Sequence, residues 1–305
     1  MCKKIILSRF GGLGDVCMAM CAAQAIAGVR WEVHLQTAPE YFALAHACPA
    51  IKSVFTDIPL ELKDALLVNL GAAIHGLRGE HEVDSFLEEI PGEVPSHCAK
   101  KLLIDIEGDL TYRPTPFDVI LHASVGDPNR TWHPKKWQEL GDRLQEDGLT
   151  VACTGKDPDK TGKGAYRLDK MPCYFDLSHL ETISLLRQCR AFVSCDSGPI
   201  QLAGATDCAI VGIYSAVAAK NRMPFRHYPA RNIAVPCYCP HAPCYEKACV
   251  DEVWKEHAAP KLQAGQHLGK ALADWCLAGE YEETFGCMSS LSVQTVHAAI
   301  VAALA

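Results

Sequence analysis

The 305-residue chain has no long unbroken apolar run, no surplus of basic residues, no fixed-period repeat and no low-complexity tract. Each absence excludes something. The best apolar stretch, Val16–Val29, is interrupted by Gln24 and falls short of the ~20 residues a bilayer span requires. It follows a glycine-rich turn carrying an aspartate, the wrong flank for a secretory signal, so a cytoplasmic location is the expectation. The formal net charge is -7, with charged residues at 21%, which argues against a general nucleic-acid partner but leaves room for a local basic pocket.

What is present is apolar bulk and cysteine. Hydrophobic residues make up 49% of the chain, enough for a sizeable core and, at this length, two domains. The 16 cysteines, in a long chain without a signal, read as reduced thiols rather than a disulfide framework. Cys17, Cys21, Cys153, Cys189, Cys195 and Cys208 lie in apolar contexts and read as small core hydrophobes.

Apolar runs alternate with helical patterns. KKIILS, WEVHLQT, SVFTDI and ALLVNLG read as strands; Asp15–Val29 and PEYFALAHAC read as helices. Glu80–Pro95 reads as a loop or helix–loop leading to KKLLIDI. DLTYRPTPFD, with two prolines, is the best linker. After it DVILHAS, LTVACTG, RAFVSCD and CAIVGIYS read as strands. Between them PKKWQELGDRLQEDG, HLETISLLRQC and the short PIQLAGAT read as helices. From about 255 onward helix dominates. Strands separated by helices imply parallel sheets and an α/β class, with a boundary between 1–115 and 116–305.

Three stretches carry chemistry. In RFGGLGDV, Gly11, Gly12 and Gly14 make the backbone permissive where a strand hands over to a helix. Asp15 there is an ordinary N-cap on one reading. On the other it is a general base at the carboxyl end of a strand, where open α/β sheets bind ligands. In HASVGDPNRTWHPKKW, Ser124 offers a hydroxyl at a strand end, and Arg130, Lys135 and Lys136 gather positive charge. That loop suits a diphosphate, or is simply a polar loop with a solvated basic face. In SCDSGPIQLAGA, Asp196, Ser197 and Gly198 turn a strand into a helix begun by Pro199, either as a plain cap or as an anion and sugar-hydroxyl site.

The order of these motifs, GGLGD, then HAS…R-T-W-H-P, then K-D-P-D, then CDSGPIQLAGA, resembles glycosyltransferase family 9, the heptosyltransferase family of lipopolysaccharide assembly. In that family a strand leads into a G-D turn, a basic residue stands before a W-P pair, and a D-[ST]-G-x-x-H motif follows. The resemblance covers the first thirty residues and most of the second half; residues 30–115 match only loosely. It implies a GT-B-like architecture of two Rossmann-like domains, an acceptor domain over 1–115 and a donor domain over 116–305, facing each other across a cleft.

The resemblance also implies roles. Asp15 would be the base of an inverting glycosyltransferase, with Gly11, Gly12 and Gly14 admitting the acceptor. Ser124 would contact donor phosphate and Arg130 would replace the family's phosphate-binding lysine, though its spacing is longer and His133 splits Trp132 from Pro134. Asp157 or Asp159 would hold the donor nucleoside. Asp196, Ser197 and Gly198 would form the donor turn. Gln201 stands where the family usually has histidine. The donor would be a nucleotide-diphospho-sugar, ADP-heptose by the same resemblance, and the acceptor a glycan, a lipid-linked core or a protein. A lipid-borne acceptor would bring peripheral contact with the inner membrane. No divalent metal need serve the phosphates.

VPCYCPHAPCYEKACVDEV is a separate feature. Cys237, Cys239, Cys244 and Cys249, with His241 among them and three prolines, do not form a core stripe. A structural zinc or iron is one reading, unliganded loop thiols the other. The family often carries a similar stretch ending in a C-M pair. By that resemblance Cys287, before Met288, is a distant further ligand, with 250–286 an insertion. Two competing functions remain: a non-catalytic nucleotide-sugar-binding protein of the same fold, and a metal protein centred on these cysteines, which would leave GGLGD and CDSGPIQ unexplained.

Overall fold

The computed structural model describes residues 3–28, 30–72, 80–92, 99–106, 116–123, 130–161, 166–226, 229–237, 239, 242–245, 288 and 291–305. Two parallel sheets organise them. In the first, β1 (Lys3–Ser8) lies centrally between β2 (Trp31–Gln36) and β4 (Leu66–Asn69), and β3 (Ile51–Phe55) closes the β2 edge. The first residues of β1 are exposed and the last four buried, as a strand covered on both faces requires.

Helix α1 (Leu13–Ile26) is apolar on almost every side. A helix of that kind is buried all round, and the packing shows why. It lies between the first sheet, α3 (Glu82–Glu88) and the second unit, whose Ile183 and Leu202 belong to the same buried cluster as Val16, Met20 and Leu35. Small side chains such as Ala19, Ala22 and Ala23 make that three-sided approach possible. Helix α2 (Phe42–His46) packs on β3, and the Tyr41 ring before it stacks on His179 of the second unit at 5.5 Å.

The second sheet runs β10–β9–β8–β5–β6–β7. Its strands are β5 (Phe117–His122), β6 (Val151–Gly155), β7 (Cys173–Phe175), β8 (Cys189–Cys195), β9 (Ala209–Tyr214) and β10 (Asn232–Pro236). Counted from β5, this is the doubly wound order 3-2-1-4-5-6, which reverses between β5 and β8. The intervening helices are α4 (Pro134–Glu146), α5 (Pro158–Thr161), α6 (His179–Leu186), α7 (Gly198–Ala203) and α8 (Ala219–Arg222). The C-terminal helix α9 (Val293–Leu304) returns to cover β9, β10 and α4. Its entry is fixed where the Trp132 indole and the Lys136 ammonium both donate to the Leu291 carbonyl, each at 3.1 Å.

The structure differs from the sequence reading in places with physical causes. Helix α1 starts two residues before Asp15, on Gly12 as cap, so Asp15 occupies the third helical position. Of the two readings of the acidic stretch after Glu80, the helix–loop holds: it contains α3, capped by the His81 ring. β7 has three half-buried residues and β10 is a sheet edge ending in proline; neither gives a periodic signal. The linker core 109–115 and residues 251–287 lie outside the described residues. Among the described residues no helix is long and apolar enough to cross a membrane.

Candidate active site between two helix starts

The starts of α1 and α7 meet. A Cβ on Gly198 would fall 2.7 Å from Leu13 Cβ, and one on Gly14 would fall 3.7 Å from the Gly198 Cα. Between them opens a cleft of about 260 Å³ lined by Gly12, Gly14, Asp15 and Met18 from the first unit and by Arg130, Asp196, Ser197, Gln201 and Arg222 from the second. It lies at the carboxyl ends of β1 and β8, where a doubly wound sheet is expected to hold its ligand.

On the first unit's side, Asp15 folds back over the glycine turn. Its Oδ2 accepts from the Gly12 N–H at 2.9 Å and its Oδ1 meets Arg9 Nη2 at 3.1 Å. Gly11 is required by this return: a Cβ there would sit 2.6 Å from Asp15 Oδ2. The carboxylate remains 23% exposed, enough to meet a ligand, while Arg9 is buried. Arg9 in turn approaches Glu82 Oε1 at 3.8 Å, and Glu82 Oε2 lies 3.2 Å from Arg222 Nε. A line of charges, Asp15–Arg9–Glu82–Arg222, with its two middle members buried, thus passes from one unit to the other.

On the second unit's side, Asp196 at the end of β8 is buried and takes Arg130 Nη1 at 3.3 Å; the same nitrogen is 3.2 Å from the Asp196 carbonyl. Behind Ser197 runs a polar chain. Each hydroxyl has one proton. Ser194 donates to the Cys195 carbonyl at 2.8 Å, so it accepts from Ser197 at 2.8 Å and from His122 Nδ1 at 3.1 Å. Burial pushes His122 down to about 4, so its ring is neutral near pH 7. The Ser197 proton is thereby committed inward, and its lone pairs face the cleft. Arg222 stays charged: burial opposes it, but Glu82, Asp196 and Asp15 together raise its pKa.

The cleft therefore brings together Asp15, Gly12, Gly14, Arg130, Asp196, Ser197, Gly198 and Gln201. Gly11 stands beside it, under the Asp15 carboxylate. Asp157 stands at the carboxyl end of β6, on the same edge of the sheet, 3.8 Å from Lys160 Nζ and 3.5 Å from Arg167 Nη2; Asp159 is 82% exposed. Lys135 and Lys136 do not line the cleft. Lys136 points to Leu291. Ser124, His241, Cys249 and Cys287 lie outside the described residues. Cys237 is buried, and burial, then Cys239, pushes its thiol up to about 11. Among the described residues no three His, Cys, Asp or Glu side chains converge as a metal site would need. The described cysteines are all free, and the six read as core hydrophobes are buried.

Three charged residues at or behind the cleft escaped the sequence reading: Arg222, which lines it, and Arg9 and Glu82, buried behind it. Arg9 lies two residues before Gly11, so its proximity to the turn was legible. Glu82 hid in an acidic stretch, and Arg222 in a four-residue helix without periodicity.

Residues 96–255 match the sequence profile of glycosyltransferase family 9 (heptosyltransferase). The chain belongs to glycosyltransferase family 9. Among curated proteins no sequence matches it. Among solved structures it is similar to the iron-containing dodecameric glycosyltransferase TibC from enterotoxigenic E. coli H10407, at 15% identity over 99% of this chain and 78% of that one, with a TM-score of 0.71. A family 9 glycosyltransferase from Veillonella parvula gives 13% identity, 99% and 97% coverage, and a TM-score of 0.66. E. coli ADP-heptose lps heptosyltransferase II gives 13% identity, 99% and 98% coverage, and a TM-score of 0.60. These likenesses show the fold, two parallel-sheet α/β domains in a GT-B-like arrangement; the profile match makes this family 9 chain a glycosyltransferase.

Proposed function

We propose that this family 9 protein is an inverting glycosyltransferase that moves a heptose from an ADP-linked donor to a hydroxyl of a glycan, lipid-linked core or protein acceptor. The observation that carries the reading is one cleft with a partly exposed carboxylate on one wall, Asp15, and a held guanidinium on the other, Arg130. Asp15 takes the proton of the acceptor hydroxyl as its oxygen attacks the anomeric carbon. The bond to the diphosphate breaks on the opposite face, and the departing charge is met by Arg130 and by Ser124. Ser197 accepts from a donor-sugar hydroxyl. Of the two candidate aspartates, Asp157 holds the nucleoside, since it is the less exposed, at 19% against 82% for Asp159, which points outward to Arg167. A dodecameric TibC structure contains ADP-D-beta-D-heptose, which favours the adenine nucleotide among donors.

The test is to supply ADP-heptose and ADP-, UDP- and GDP-hexoses in turn, follow nucleoside diphosphate release, and read the product anomer by proton NMR. Release confined to ADP-heptose with inverted configuration supports the reading. A retained configuration removes the mechanism, and release from another donor alone removes the ADP-heptose assignment.

The cysteine stretch is assigned a structural role. Cys237, Cys239, Cys244, Cys249 and Cys287 would hold zinc or iron as thiolates, apart from the transfer chemistry. The described residues do not by themselves complete such a site. Elemental analysis of the purified protein, with Cys239→Ser and Cys249→Ser alongside, decides it.

A further inference from the structure

The segment 221–223 of the second unit is gripped residue by residue from the first. The Asn221 amide donates to the Glu80 carbonyl, the Glu82 carboxylate meets Arg222 Nε at 3.2 Å, and the His81 ring donates from Nε2 to the Met223 carbonyl at 2.9 Å. Glu82 and Asn221 are 1% exposed. From the second unit itself, the Gln201 amide donates to the Arg222 carbonyl at 2.5 Å, and the Tyr245 hydroxyl donates to Asn221 at 2.9 Å. Arg222 is thus fixed at its main chain and at Nε, and its side chain ends on the cleft.

The two cleft arginines differ in what they have left to give. Arg130 spends Nη1 on Asp196. Arg222 uses Nε alone, and among the described residues its two terminal nitrogens meet no hydrogen-bond or ion-pair partner. A guanidinium oriented through Nε keeps its outer fork for a planar or tetrahedral oxyanion. The charges around the cleft also require another cation. Asp15 leans on Arg9 and Asp196 on Arg130, so an arriving diphosphate would meet two carboxylates with their partners already engaged.

We propose that Arg222 is a phosphate-binding residue of this cleft, with Glu82 as its positioning residue. The inference rests on the nucleotide-sugar reading above and names a further ligand of the donor diphosphate. It also makes donor binding depend on the acceptor unit, because Glu80, His81 and Glu82 belong to that unit and set where the guanidinium stands.

Calorimetric titration of the wild type, Arg222→Met, Arg222→Lys and Glu82→Gln with ADP, adenosine and inorganic pyrophosphate tests this. Arg222→Met is expected to weaken ADP and pyrophosphate about tenfold or more and to leave adenosine unchanged. Arg222→Lys keeps the charge without the fork and recovers only part of that loss; Glu82→Gln falls between, with its loss likewise confined to the phosphate-bearing probes. ADP and pyrophosphate bound as tightly by Arg222→Met as by the wild type overturn the proposal. Should that variant fail to fold, ADP affinity unchanged in Arg222→Lys overturns it instead. Pyrophosphate binding lost in the variants, in a protein that ignores ADP and adenosine, upholds Arg222 and removes the nucleotide-sugar reading. A wild type that binds none of the three overturns both.

Discussion

The two halves of the molecule each turn a strand into a helix at the same cleft, and they use the turn in opposite ways. After β1 the chain spends glycines so that a carboxylate in the helix can swing back over the turn and remain partly open. After β8 the carboxylate precedes the helix, is buried, and is consumed in holding Arg130. The first turn exposes a carboxylate; the second hides one to fix a cation. The difference follows from chain position. Asp15, one turn into α1, can reach the N–H of Gly12, whereas Asp196 lies at the strand end, inside the sheet edge. Gly198 then lets the two turns touch, so that opposite chemistries share one cleft.

Substitutions at the paired glycines break this comparison first. Gly11→Ala places a methyl 2.6 Å from Asp15 Oδ2 and forces the carboxylate off the turn. Turnover is expected to fall about 100-fold, with the melting temperature little changed, measured by steady-state kinetics and calorimetry. The polar chain under the second turn has its own signature. His122 is buried neutral, its pKa lowered to about 4, so the unfolded state binds a proton that the native state refuses. Its contribution is present above the unfolded pKa of about 6.5 and is lost as pH falls toward 4, at about 1.4 kcal/mol per pH unit. Urea denaturation of wild type and His122→Asn across that window should show the wild type's steeper slope.

Smaller effects sharpen the contrast. Gly198→Ala pushes a methyl to 2.7 Å from Leu13 Cβ and should cost about 2 kcal/mol through overpacking. Gly14→Ala meets only ordinary contacts at 3.7 Å and should be neutral or stabilising by up to about 1 kcal/mol, because alanine favours a helix. Chemical denaturation of the two variants reads both values. Weakest of all, Asp157→Asn should reduce ADP affinity a few-fold while Asp159→Asn leaves it unchanged, in the same titration.

Much of this was legible locally. The glycine turn, the strand before it and the D-S-G turn are short-range signals, and each half's alternation of apolar runs and helical patterns marked its sheet. What was not legible depends on distant partners. Asp15 read equally well as an N-cap, and only the start of α1 at Leu13 showed it reaching backward. Arg9 gains its role from Glu82, and Glu82 from Arg222, residues that the fold joins across two units. A buried acidic residue inside an acidic stretch carries no periodic mark. β7 and β10 were missed because short edge strands alternate too few residues to register.

The most direct test of the account compares binding with turnover in Asp15→Asn. ADP affinity by titration and ADP release from ADP-heptose with acceptor present are measured on the same preparation. The account predicts unchanged affinity and turnover reduced by about 100-fold or more, the loss expected of a missing general base. Turnover near the wild-type rate with affinity intact would leave Asp15 as a helix cap and contradict the central claim.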